Sequence, residues 1–208
     1  LLHKYNVIGL LRNKNKFPLP KNKQLKIIIG DICNPETYVE ALKKVQIVIH
    51  VAAVTDQNIK KYATYKKTNV DAAKNLLKQS IQNNIQTFIN VGSANAFGFG
   101  SLTNLGNETI RIKAPFNKSL YALSKLEAQN EILRVGNSQQ KTKVISVNPT
   151  FMIGKYDTKP SSGRIVLSAH KKKIIFYPPG GKSFINVKDV AQTITKTINL
   201  GKHGESYL

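Results

Sequence analysis

A chain of 208 residues, 41% hydrophobic and 21% charged, can bury the core of one domain or somewhat more, and it holds no apolar run as long as a membrane span. The single Cys33 excludes an internal disulfide and suits a reducing, cytoplasmic setting, and four histidines without ligand spacing predict no metal centre. The net charge of +21 points toward polyanions, but the lysines are dispersed, the longest run is "KKK" at 171–173 and no aromatic stacking motif accompanies them; this reads as a general lysine bias, with no specific nucleic acid and no membrane as partner.

In chain order, "NVIGLL" (6–11), "KIIIG" (26–30), "QIVIHVA" (46–52), "TFINVG" (87–92) and "KVISVNP" (143–149) are short runs rich in Val and Ile. Nearly continuous apolar runs of this length predict parallel strands covered on both faces. Helical patterns alternate with them. "NPETYVEALKKV" opens with Asn34 as a cap and Pro35 at the first helical position. Longer segments follow at about 58–84 and 118–134. After residue 149 turn formers dominate, and "KKIIFYPPGGKSFINV" predicts two short strands around a Pro-Gly turn. Val187, Val190, Ala191, Ile194 and Ile198 recur at helical spacing, with Asp189 ordering the start of that helix. "ESYL" reads as the beginning of a strand. The alternation predicts an α/β fold, a Rossmann-like doubly wound parallel sheet.

Ligands of such a sheet bind beyond the carboxyl ends of its strands. Those ends carry Arg12, Asp31, the run Val51, Ala52 and Ala53, then Ser93, and finally Asn148, Pro149 and Thr150. Between the fourth and fifth strands "SLYALSK" places Tyr121 and Lys125 on one helix face. In a chain this rich in lysine about one Tyr-x-x-x-Lys arises by chance. A second pair, Tyr62 with Lys66, has no hydroxyl partner at a strand end and is taken as the accidental one. His50, inside a strand, reads as a packing residue.

"GDICNPETYVEALKKVQIVIHVAA", "TNVDAAKNLLKQSIQNNIQTFINVGSANAFG", "SLYALSK", "VNPTFMIG" and "FINVKDVA", in this order, resemble the extended short-chain dehydrogenase/reductase family. The likeness is greatest to its NAD-dependent epimerase/dehydratase and dihydroflavonol-reductase-like branch. The resemblance implies a dinucleotide-binding domain over 1–149 and, over 150–208, part of a smaller C-terminal substrate domain interleaved with it. It implies a catalytic set of Ser93, Tyr121 and Lys125. Tyr121 would be the general acid/base, Ser93 would hydrogen-bond the substrate oxygen, and Lys125 would hold the nicotinamide ribose and lower the phenol's pKa through its charge. "LLRNKNK", with Arg12, Asn13 and Lys16 and no carboxylate, favours NADP, with NAD as the alternative. Asp31 and Ile32 would meet the adenine. Val51, Ala52 and Ala53 would line the dinucleotide path, and Pro149 and Thr150 would border the nicotinamide.

The sequence departs from the family at its start, where a strand and a glycine-rich loop are expected; with no initiator Met, it reads as a fragment of a longer protein. The strands at 6–11 and 46–52 would then each lack a neighbour. Gly92 stands where Ser or Thr is common, and Lys155 follows Gly154 where Pro is usual. The implied activity is reduction of a ketone or oxidation of a secondary alcohol, dihydroflavonol-reductase-like. A nucleotide-sugar epimerase/dehydratase and a 3β-hydroxysteroid dehydrogenase are the alternatives. A catalytically silent, cofactor-sensing or polyanion-binding protein is the reading from another class. The expected partner is a small-molecule substrate, with a homodimer as the assembly to be tested.

Overall fold

The computed structural model describes residues 1–2, 4–17, 20, 22–157, 162–176 and 180–208, and only the backbone of Lys16. The five apolar runs form β1 (Val7–Leu11), β2 (Leu25–Ile29), β3 (Ile47–His50), β4 (Thr87–Val91) and β5 (Lys143–Val147). After them come β6 (Phe151–Ile153), β7 (Phe184–Asn186) and β8 (Ser206–Tyr207), the last being the "ESYL" segment. Every pairing is parallel. β3, β4, β5 and β8 make one sheet in that order, β1 pairs with β2, and β6 pairs with β7. Among the described residues β1 and β3 each have a partner on one side only.

The sheet register explains the apolar runs. Val48, Phe88 and Val144 lie side by side and face one cluster, with Leu42, Leu76, Leu77 and Ile132. Ile47, Ile49, Ile89 and Val147 face the other way, against Ile194 and Ile198. Fully buried side chains such as Phe88 and Leu77 each stabilise the fold by roughly 1.5–3 kcal/mol. Leu10 and Ile28 join the first cluster, so the β1–β2 pair shares the core of the larger sheet without bonding to it.

Helices cover both faces. α1 (Val39–Leu42) follows a 3-10 turn, Pro35–Thr37. α2 (Tyr62–Tyr65) runs through a π-helical stretch, Lys66–Ala72, into α3 (Ala73–Gln82), which buries Ala73, Leu76, Leu77 and Ser80 at helical spacing. α4 (Leu120–Asn137) starts at Ser119, whose hydroxyl accepts from the Ala122 N–H at 3.3 Å. α5 (Arg164–Ala169) and α6 (Val187–Leu200) complete the set. The cap of α6 is Asn186, which accepts from the Lys188 N–H at 2.9 Å; Asp189 adds a negative charge to the first turn.

Two expectations are corrected. Asn34 makes no side-chain cap, and the expected helix is a 3-10 turn followed by one α turn. The Thr37 hydroxyl bonds the Asn34 carbonyl (2.7 Å) and so supports a tight turn in place of a longer helix. Residues 174–176 form no strand; 177–179 lie outside the described residues. β7 pairs instead with β6, where the Phe151 and Phe184 rings meet edge to face at 5.4 Å. No described helix is long and apolar enough to cross a membrane.

Candidate active site

Within each sheet the strands run parallel, so their carboxyl ends lie together, and most of the candidate residues stand at those ends. Ser93 follows β4 and caps a 3-10 turn, Ala94–Ala96, its hydroxyl accepting from the Asn95 N–H at 3.2 Å. Its own N–H donates to Asn148 Oδ1 at 3.2 Å, and the Ala94 N–H donates to the Pro149 carbonyl at 3.0 Å. The loop after β4 is thereby tied to the loop after β5.

α4 brings the other two members to this point. Lys125 is buried, and its ammonium donates to the Val91 carbonyl, the last residue of β4, at 3.0 Å. Burial pushes the Lys125 pKa down to about 8. Tyr121 is half-buried one turn earlier, its ring 6.3 Å from that of Tyr65. Burial raises its phenol pKa, and the nearby Ser93 hydroxyl opposes the rise. This differs from the expectation that Lys125 tunes the phenol downward: the lysine points its charge at the Val91 carbonyl, and the lowering influence on Tyr121 comes from Ser93. His50 is buried at the end of β3, held neutral with a pKa of about 3 by burial and by the charge of Lys125.

The remaining candidates stand at the other strand ends. Leu11, Arg12, Asn13 and Phe17 line an open cleft at the end of β1. The side chain of Lys16 lies outside the described residues. Asp31 accepts from the Cys33 N–H at 2.8 Å; this bond first, then Arg12 and Lys67, holds its carboxyl below the usual range against the opposing effect of burial. Ile32 is buried in the first core cluster, so any contact it makes with a ligand is at its backbone. Val51 and Ala52 are exposed after β3, and Ala53, Pro149 and Thr150 are half-buried. A basic cleft, a run of small side chains and a lysine beside a tyrosine fit an anionic dinucleotide laid across the strand ends.

Sequence reasoning missed Asn69, in the π-helical stretch. Its Oδ1 accepts from the Val54 N–H (2.7 Å), and its Nδ2 donates to the Val54 carbonyl (3.1 Å) and Ser124 Oγ (3.0 Å). It clamps the loop after β3 to the turn of α4 between Tyr121 and Lys125. The available signal was an Asn at the buried centre of a helix, where it must have partners. The accidental pair also has a partner: the Tyr62 hydroxyl donates to the Glu127 carboxylate, and Lys66 Nζ reaches it at 2.7 Å.

The family model described as "NAD dependent epimerase/dehydratase family" matches residues 1–208. The chain belongs to the NAD-dependent epimerase/dehydratase family. Among relatives, it is 26% identical over 190 residues to the "Putative dihydroflavonol 4-reductase" of Synechocystis sp., covering 90% of this chain and 54% of that protein. It is 29% identical over 146 residues to a 3-beta-hydroxysteroid dehydrogenase of Mycolicibacterium neoaurum, covering 67% and 39%. The dTDP-glucose 4,6-dehydratase of Bacillus anthracis, solved in complex with NAD, superposes with a TM-score of 0.78 at 20% identity, over 99% of this chain and 66% of that one. That likeness speaks for the Rossmann-type fold of family members. The chain thus spans about half the length of the Synechocystis relative.

Proposed function

We propose that the protein is an NADP-preferring oxidoreductase that reduces a ketone or oxidises a secondary alcohol, in the manner of a dihydroflavonol reductase. The observation that carries the reading is the meeting of Ser93, Tyr121 and Lys125 at the carboxyl end of β4. A bound nicotinamide dinucleotide supplies or takes the hydride. Tyr121 gives its hydroxyl proton to the carbonyl oxygen, or takes one from the alcohol, and Ser93 hydrogen-bonds the same oxygen. Lys125 is mostly cationic at neutral pH and holds the ribose hydroxyls. Arg12, Asn13 and Lys16 receive the 2′-phosphate, and Asp31 and Ile32 the adenine. Val51, Ala52 and Ala53 flank the dinucleotide path, and Pro149 and Thr150 the nicotinamide.

The test is made in the full-length protein, with NADPH and NADH against a dihydroflavonol, a 3-ketosteroid and, with NAD, UDP-glucose. Consumption of NADPH with a ketone supports the reading. Conversion of UDP-glucose without net cofactor turnover would move the protein to the epimerases of its family. Tyr121→Phe keeps the ring and its packing, so cofactor affinity should survive while turnover falls by about 10² or more. Near-normal turnover in this variant would sink the assignment. Arg12→Asp should shift preference from NADP toward NAD, because it removes a charge-assisted contact worth roughly 1.5–3 kcal/mol and adds repulsion. Unchanged relative affinities would show that the cleft at β1 does not meet the 2′-phosphate.

A further inference from the structure

Gly92 and Asn148 share one space. A Cβ on Gly92 would lie 1.9 Å from Asn148 Oδ1 and 3.0 Å from its Cγ, so a side chain at 92 and this placement of the amide exclude each other. The amide is fully buried and uses both ends. Oδ1 accepts from the Ser93 N–H at 3.2 Å; Nδ2 donates to Ser206 Oγ at 2.9 Å and to the Tyr207 carbonyl at 3.3 Å. The Ser146 hydroxyl stands 3.5 Å from Oδ1, but its one proton has a nearer acceptor in Gln129 Oε1 at 3.3 Å. Ser206 donates to the same Gln129 oxygen at 3.2 Å. Gln129 is buried on α4, four residues beyond Lys125 and eight beyond Tyr121, on their side of the helix. A buried chain of hydrogen bonds therefore joins the backbone of Ser93 to the helix of Tyr121 and Lys125 by way of β5 and β8.

We propose that Asn148 is a positioning residue. Seated in the space left by glycine at 92, it fixes the backbone of Ser93 and, through Ser206 and Gln129, keeps Ser93 in register with Tyr121 and Lys125. The functional consequence rests on the oxidoreductase reading above; the positioning itself does not. The chemistry suits a carboxamide. One end must accept from an N–H and the other must donate to a carbonyl, which no aliphatic residue and no ionised aspartate does in a buried site. Small errors of placement matter here, since a misplacement of about 1 Å can cost about 10²-fold in rate.

The experiment uses the full-length protein in four forms: wild type, Asn148→Ala, Gly92→Ala and the double variant. The first readout is the NMR resonance of the Tyr121 Cζ, assigned with Tyr121→Phe, because it senses the neighbouring Ser93 hydroxyl. Ser93→Ala supplies the position expected when that hydroxyl is lost. Both single variants should move the resonance toward that position. The double variant should be no worse than Asn148→Ala alone, because the atoms that the new methyl would strike are gone. With NADPH and a dihydroflavonol, kcat should fall about tenfold or more, with the KM for NADPH little changed. A folded Asn148→Ala with an unmoved resonance and unchanged kcat overturns the proposal. If Asn148→Ala does not fold, Gln129→Met cuts only the link to α4, and an unmoved resonance there overturns it equally. A moved resonance in a protein without NADPH-linked turnover upholds the positioning and sinks the oxidoreductase reading.

Discussion

Lys125 is a cation withdrawn from water, with one carbonyl to hold it. Its pKa of about 8 in the folded chain lies below its ordinary 10.5. Between these values the unfolded chain binds more protons at this position than the folded one, so stability rises with pH from about 8 toward 10.5. Below about pH 8 the charge is present in both states and its burial costs about 3 kcal/mol, at 1.36 kcal/mol per unit. Lys125→Met removes the charge and should remove this rise. Tyr121 acts in the opposite sense above about pH 10, because its raised phenol pKa lets the unfolded chain ionise first. Urea midpoints of the two proteins, compared between about pH 8 and 10 without cofactor, isolate the lysine. Parallel curves would show that Lys125 is not desolvated.

At the scale of elements, the helical layer beside the site is fastened to α4 in three places. Tyr62 and Lys66 meet Glu127, Asn69 meets Ser124, and Lys74 reaches Glu131 at 2.6 Å. The π-helical stretch carries one of these links, Asn69. The pair read from the sequence as accidental is therefore structural. Tyr62→Phe should lower stability by about 1 kcal/mol, because it withdraws a hydrogen bond from a carboxylate, while leaving turnover near wild type. Thermal unfolding and the NADPH assay check both halves. Unchanged stability would mean that Lys66 alone holds Glu127, and a large loss of turnover would move Tyr62 into the active site.

For the whole molecule, burial follows strand position. β4 is buried along its whole length, whereas every residue of β1 is only half-buried and Val51, just past β3, is 63% exposed. β1 and β3 share a core cluster yet each leaves one parallel edge unbonded among the described residues. Apolar edges of this kind template pairing with other chains. The 208-residue chain, expressed alone, should self-associate at micromolar concentration. Sedimentation and a thermal scan decide: a monomer with one cooperative transition would show that the edges are adequately protected.

Much of this was legible in the residues themselves. The five long apolar runs predicted β1 to β5 with ends within two residues, because a strand buried on both faces must be apolar throughout. Ser93 at a strand end, and Tyr121 with Lys125 on one helix face, followed from local spacing alone. The rest depended on partners far away in sequence. Asn148 meets Ser93 across 55 residues and Ser206 across 58, and Asn69 meets Ser124 across 55. An asparagine, a glycine or a tyrosine carries no local mark of such a partner. Only the packing of parallel strands and the helices over them decides that Gly92 makes room for an amide, that Tyr62 has a carboxylate to bind, and that the buried charge of Lys125 rests on Val91. Local periodicity determines which segments become strands and helices; which polar groups complete one another is decided when those segments are brought within hydrogen-bonding distance.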